Sequence, residues 1–157
     1  MNTDVILNND WISVSLSAEG CLVSLINKTS GRDVVFPHAL WRLVVSDADC
    51  REIELVGGGV SRIIQNGDTI TVEFTDAHDE VGRRFDIGVT CYVVLDNEDL
   101  TWHCSVANRE NGVVVREVHY PIFSLRDPAP PMSLLATHLV SEKIEDVPRW
   151  VEEGFSA

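Results

Sequence analysis

At 157 residues the chain fits one domain with room for a real core, and 45% hydrophobic against 24% charged residues is the balance of a globular protein. The net charge of −13 repels phosphate backbones and anionic lipid, which argues against nucleic acid or a membrane as partner and leaves neutral ligands such as sugars open. No apolar run has the length needed to cross a membrane, and the first ten residues lack the basic and apolar regions of a secretory leader, so the expected location is cytoplasmic.

The elements follow a period of two along most of the chain. "WISVSLS" puts Ile12, Val14 and Leu16 on one face and serines on the other. A turn at Gly20 leads into a second alternating run, which breaks into a polar loop at residues 27–33. "LWRLVVS" at residues 40–46 places Trp41, Leu43 and Val45 in phase as the next strand. Gly57, Gly58 and Gly59 read as a turn. "QNGD" between "VSRII" and "TITVEFT" predicts a hairpin, with Asn-Gly supplying the positive φ angles of a type I′ turn. "FDIGVTCYVVL" lines up Phe85, Ile87, Val89, Cys91, Val93 and Leu95, and residues 96–99 predict a second hairpin into "LTWHCSV". A turn at residues 109–112 predicts that the strand bearing His103 pairs with the one bearing His119. Strict alternation with short, turn-separated strands means an antiparallel β-sandwich covering residues 1–126. "RDPAPP" cannot lie in an inner strand, because its prolines lack the ladder donor. Residues 127–157 read as a Pro-rich connection followed by an acidic tail or short helix, leading towards a further domain.

The stretch "GCLVSLINKTSGRDVV" resembles a pattern, Gly-x-Leu-x-Ser-Leu-x-(Asp/Asn)-Lys-x-(Thr/Ser)-Gly-Arg-(Asp/Glu), found near the start of galactose-mutarotase-like β-supersandwich domains. The matching residues are Gly20, Leu22, Ser24, Leu25, Asn27, Lys28, Ser30, Gly31, Arg32 and Asp33. "ILNNDWISVSLSAEG", "LWRLVVS" and "LTWHCSVANRENGVVVREVHYPIF" are similar to other strands of such domains, in the same order. The resemblance implies the N-terminal sandwich of a bacterial glycoside-hydrolase-like protein. On the residues themselves, Gly20 makes a tight turn, Leu22 and Leu25 fall on opposite faces, and Lys28 and Arg32 project from a solvated loop.

Catalytic epimerases of the resembled class use a His/Glu pair as general acid and base at a sugar hydroxyl. Here His103, His119 and Glu117 are the candidates for that chemistry, although complete epimerases are much longer than this chain. Sugar sites stack pyranose faces on exposed aromatics, and Trp11, out of phase with Ile12, and Trp150, in the tail, are the candidate platforms. Asp76, Asp79 and Glu80 in "DAHDE" offer hard oxygens for a cation but lack the spacing of a dedicated calcium loop, so a solvated acidic turn is expected and no metal. Cys21, Cys50, Cys91 and Cys104 form no CxxC pair and read as free thiols, three of them within strands. No nucleophile elbow, phosphate loop, dinucleotide fingerprint or zinc-protease motif is present, and no cofactor is expected. Three functions remain open: a non-catalytic module that supports a catalytic domain or binds carbohydrate, a small epimerase-like enzyme, and a module that pairs with another copy of itself.

Overall fold

The computed structural model describes residues 4–126 and the strand backbones at 133–137 and 141–145. Cα proximity divides the chain into two units, Met1–Ser124 and Leu125–Ala157. In the first, the strands in chain order are β1 (Val5–Asn8), β2 (Ile12–Leu16), β3 (Cys21–Asn27), β4 (Arg32–Asp33), β5 (Val35–Phe36), β6 (His38–Ala39) and β7 (Arg42–Ser46). They continue as β8 (Glu52–Asn66), β9 (Thr69–Asp79), β10 (Arg84–Phe85), β11 (Ile87–Asp96), β12 (Asp99–Asn108) and β13 (Val114–His119), and the short β14 (Ser124–Leu125) falls at the division. The second unit contains a hairpin of β15 (Ser133–Thr137) and β16 (Ser141–Glu145). The acidic stretch expected as a helix or tail therefore begins as a strand, and the described residues contain no helix.

Two antiparallel sheets enclose one core. The smaller runs β1-β2-β3-β4, with β6 also on β3, and the larger runs β12-β11-β9-β8-β7-β13, with β10 on β9. Leu7, Val14, Leu16 and Leu22 of the first meet Leu43, Leu55, Ile70, Val72, Cys91 and Val93 of the second, all buried. These are the in-phase residues of the alternating runs. The sandwich follows because each sheet has one apolar face to hide.

The larger sheet curls until its ends approach. Strands β12 and β13 are separated only by residues 109–113, yet they stand at opposite ends of the hydrogen-bonded path. Six strands laid flat would put those edges about 24 Å apart, at about 4.8 Å per strand. The connector reaches at most about 21 Å even when fully stretched. It is not stretched, since Asn108 Nδ2 donates to the Val113 carbonyl at 2.8 Å and Glu110 N–H to Asn108 Oδ1 at 3.0 Å. The result is a nearly closed, barrel-like wrap. The expected pairing of the His103 and His119 strands does not occur: β12 pairs with β11 and β13 with β7. Bulky rings fill the seam instead, with Trp102 edge-to-face against Tyr120 (centroids 6.2 Å) and Phe123 (5.4 Å).

Three local expectations also change. The triple glycine is no turn but the middle of β8, where the register against β9 slips repeatedly. A Cβ on Gly58 would lie 2.9 Å from the Thr75 carbonyl, and one on Gly57 2.8 Å from the His78 ring, so the glycines permit close approach in a bulged strand. The "QNGD" hairpin forms, but its two-residue loop is Gly67–Asp68, and only Gly67 (φ 56°) is left-handed. That is the signature of a type II′ turn rather than type I′. Finally, Leu22 and Leu25 share a face. A bulge in β3 pairs them with Leu16 and Val14, both inward, because one extra residue reverses the alternation.

The loop of the family-like motif is held by its own polar groups. Asn27 Oδ1 accepts from Ser30 N–H at 3.1 Å, and the Lys28 ammonium donates to the Asn9 carbonyl. Asp33 Oδ1 accepts from Leu25 N–H at 3.0 Å and from Val35 N–H at 3.3 Å. The motif is a building device that joins β3 to β4 and β5.

Candidate functional site

A groove of about 770 Å³ opens beside β7, between β6 and β8 on one side and the end of β13 on the other. Arg42 of β7 lines it. Trp41 and Leu43 point into the core, so Arg42 must point out. It faces His119 across the β7–β13 ladder, and its Nη1 donates to Glu54 Oε1 on β8 at 3.2 Å. Its Nε is enclosed and has no hydrogen-bond partner among the described residues. His119 Nε2 lies 2.9 Å from Glu117 Oε2, two residues earlier on the same face of β13. The Glu117–His119 and Arg42–Glu54 contacts thus lie side by side on one outer face across three strands. Their side chains are half-exposed, so both contacts contribute little to stability.

The other wall is more apolar. The chain leaves β13 through Tyr120, a cis peptide and Pro121, and Ile122 N–H donates to the Leu40 carbonyl at 2.9 Å. This anchors residues 120–123 over the edge of the core. Phe123 is 39% exposed at the groove, while His38 projects from β6 with Nδ1 2.9 Å from the Ala39 carbonyl. Tyr120 also lines the groove, and its hydroxyl donates to the Tyr92 carbonyl at 2.9 Å. Burial, and then the neighbouring Cys91 and Cys104 sulfurs, push this phenol well above its usual pKa.

Of the predicted acid/base residues, His119 and Glu117 therefore meet. His103 does not join them: it faces outward on β12, opposite Tyr92, with no hydrogen bond or ion pair to either. Trp11 is exposed as predicted, at 46%, but immediately before β2 and outside the groove. Trp150 lies outside the described residues. Asp76 has a left-handed backbone (φ 52°) and lines a separate pocket of about 340 Å³ with His78 and Arg84. Asp79 Oδ1 is occupied by the N–H groups of Val81 (3.1 Å) and Arg83 (2.8 Å), closing a turn in which Glu80 is exposed. Among the described residues no three His, Cys, Asp or Glu side chains gather where a cation could be held.

Sequence reasoning missed Arg42, Glu54, His38 and Phe123. One signal was present: Arg42 is the single charge within the apolar run "LWRLVV". Its partners come from pairings between distant segments, which alternation does not reveal.

The chain matches no known protein-family model, and no curated protein is detectably similar to it.

Proposed function

We propose that this chain is a β-sandwich module of a carbohydrate-active, glycoside-hydrolase-like protein, and that it holds a neutral saccharide in the groove around Arg42 without transforming it. One observation carries the reading: the side-by-side Glu117–His119 and Arg42–Glu54 contacts beside the exposed Phe123 ring. Sugar hydroxyls both donate and accept. Guanidinium beside carboxylate offers donors and acceptors at the spacing of a vicinal diol, and an aromatic ring takes the apolar face of a pyranose. The volume lies within the range of small-ligand sites, about 300–1,000 Å³. The motif resemblance at Gly20–Asp33 supports the carbohydrate class, and the strongly acidic chain disfavours anionic sugars. In the parent protein the module would stand beside a catalytic domain or a second copy.

Calorimetric titration with a panel of neutral mono- and oligosaccharides tests this. At least one should bind, and Arg42→Ala and Phe123→Ala should each weaken it by about tenfold or more. Equal affinity in both variants would end the proposal.

The contact between His119 and Glu117 favours a second reading, an epimerase-like enzyme in which this pair moves a proton at a sugar hydroxyl. Polarimetry of aldose anomers separates the two: acceleration lost in His119→Ala supports the enzyme, and background rates support the binding module.

A further inference from the structure

Cys91 and Cys104 are Cα partners in the β11–β12 hairpin. The two-residue loop makes Asp96↔Asp99 a hydrogen-bonded pair, after which the pairs alternate. Arg109 N–H donates to the Asp86 carbonyl at 2.9 Å, which fixes the same parity at the far end of the ladder. Cys91↔Cys104 is therefore a non-hydrogen-bonded pair, in which the Cα atoms stand about 4.5 Å apart and the side chains are closest. That spacing lies within the range a disulfide spans, about 4.4–6.8 Å. Both side chains point inward, since Cys91 is buried between Val89 and Val93 and Cys104 is partly buried between Trp102 and Val106.

A hydrogen bond from Cys91 to the Cys104 sulfur, with burial added, raises the Cys91 pKa, and the same bond lowers that of Cys104. The Tyr120 hydroxyl touches the Cys91 sulfur from the seam between β12 and β13. Cys50 is a fully separate case, an exposed thiol in a turn.

We infer that Cys91 and Cys104 form a site of reversible covalent modification, a disulfide across the β11–β12 ladder made by exchange with a small organic disulfide. Cys104, the more exposed thiol, attacks first. Its thiolate forms a bond to one sulfur of the reagent, the reagent's S–S bond breaks, and one small thiolate leaves. Cys91 then loses its proton and attacks the Cys104 sulfur of the mixed disulfide, expelling the second small thiolate. The protein loses two hydrogens, and the reagent becomes two thiols. The product ties edge strand β12, which closes one end of the curled sheet, to β11, which lies within it.

The test uses the whole reduced chain in glutathione buffers of rising oxidised fraction, trapped by alkylation and mapped by mass spectrometry. A peptide joining Cys91 to Cys104 is expected, with Cys50 carrying only mixed disulfide with glutathione. Cys50→Ser should keep the link and Cys104→Ser should abolish it. Amide exchange in β12 should slow by about tenfold or more on oxidation. The inference is overturned if Cys91 and Cys104 remain alkylatable after unfolding under conditions that saturate Cys50, or if they pair indiscriminately with Cys21 and Cys50. Should Cys104→Ser fail to fold, the mapping of the natural chain decides alone.

Discussion

Replacing Gly20 by alanine should destabilise the sandwich far more than the same change at Gly31. Both glycines are left-handed, with φ of 74° and 68°. Each substitution carries the left-handed penalty of an L-residue, about 1–2 kcal/mol, partly offset by the smaller entropy of the unfolded chain, about 0.4–1 kcal/mol. These contributions are common to both positions and cancel in the comparison. The surroundings do not cancel. A Cβ on Gly20 would sit 2.5 Å from Phe74 Cζ and 2.8 Å from Cε1, whereas nothing lies within 4 Å of one on Gly31. Phe74 has little room to retreat, being 6% exposed and packed edge-to-face on Trp41 at 5.5 Å. Forcing an extra carbon into such a core costs about 1–3 kcal/mol. Gly20→Ala should thus lose about 1–3 kcal/mol more than Gly31→Ala. Urea unfolding followed by tryptophan fluorescence reads this as a lower midpoint at unchanged slope. Phe74→Leu in the Gly20→Ala background should recover part of the loss, a coupling of about 0.5–3 kcal/mol. Equal losses at the two glycines would refute the reasoning, because they would leave Phe74 no part in the effect.

Further expectations follow from the same structure. Gly58→Ala, whose Cβ would meet the Thr75 carbonyl at 2.9 Å, should destabilise by about 1–3 kcal/mol. Gly59→Ala, with its nearest neighbour at 3.7 Å, should be tolerated within about 1 kcal/mol by thermal unfolding. Asp33→Ala strips an acceptor from Leu25 and Val35 N–H and should cost about 1–3 kcal/mol, while saccharide affinity measured below the unfolding transition stays unchanged. Tyr120 makes stability fall in alkali. Its folded pKa is raised above the unfolded phenol's value of about 10, so its contribution is whole below that pH and drains away above it. Cys91, raised by its bond to Cys104 and by burial, adds to the fall in alkali, opposed in the thiol range by Cys104, which the same bond lowers. Denaturant midpoints measured from neutral to strongly alkaline pH should decline, and Tyr120→Phe should flatten the upper part of the decline.

Much of the sandwich is legible in the alternation. Ile12, Val14 and Leu16, or Ile87 through Leu95, announce a half-buried strand because a pleated backbone sends successive side chains to opposite faces. The hairpins at Gly67–Asp68 and Asn97–Glu98 are equally local and fall where the turn residues place them. What escapes is whatever depends on a partner. The triple glycine looks like a turn until β9 and Trp41 are packed against it, when the absence of Cβ becomes a matter of clearance. The bulge that brings Leu22 and Leu25 to one face is set by pairing with β2. His119 and Glu117 are close in sequence, so their meeting could be foreseen. Arg42 joins them only through the β7–β13 ladder, which links residues separated by about half the chain, and Glu54 only through β8. His103 fails as their companion for the same reason: the curled sheet sends β12 and β13 to different neighbours.

The central claim is that the groove around Arg42 takes a neutral sugar. Backbone amide shifts of the isotope-labelled chain, followed by NMR while the best saccharide from the panel is added, test it most directly. The account predicts saturable shifts concentrated at Ala39, Arg42, Glu54, His119 and Phe123, with Trp11 and His103 unmoved. Shifts centred on Trp11 or on the Asp76 pocket, or none at any residue up to tens of millimolar sugar, about 2–3 kcal/mol of binding free energy, would contradict it.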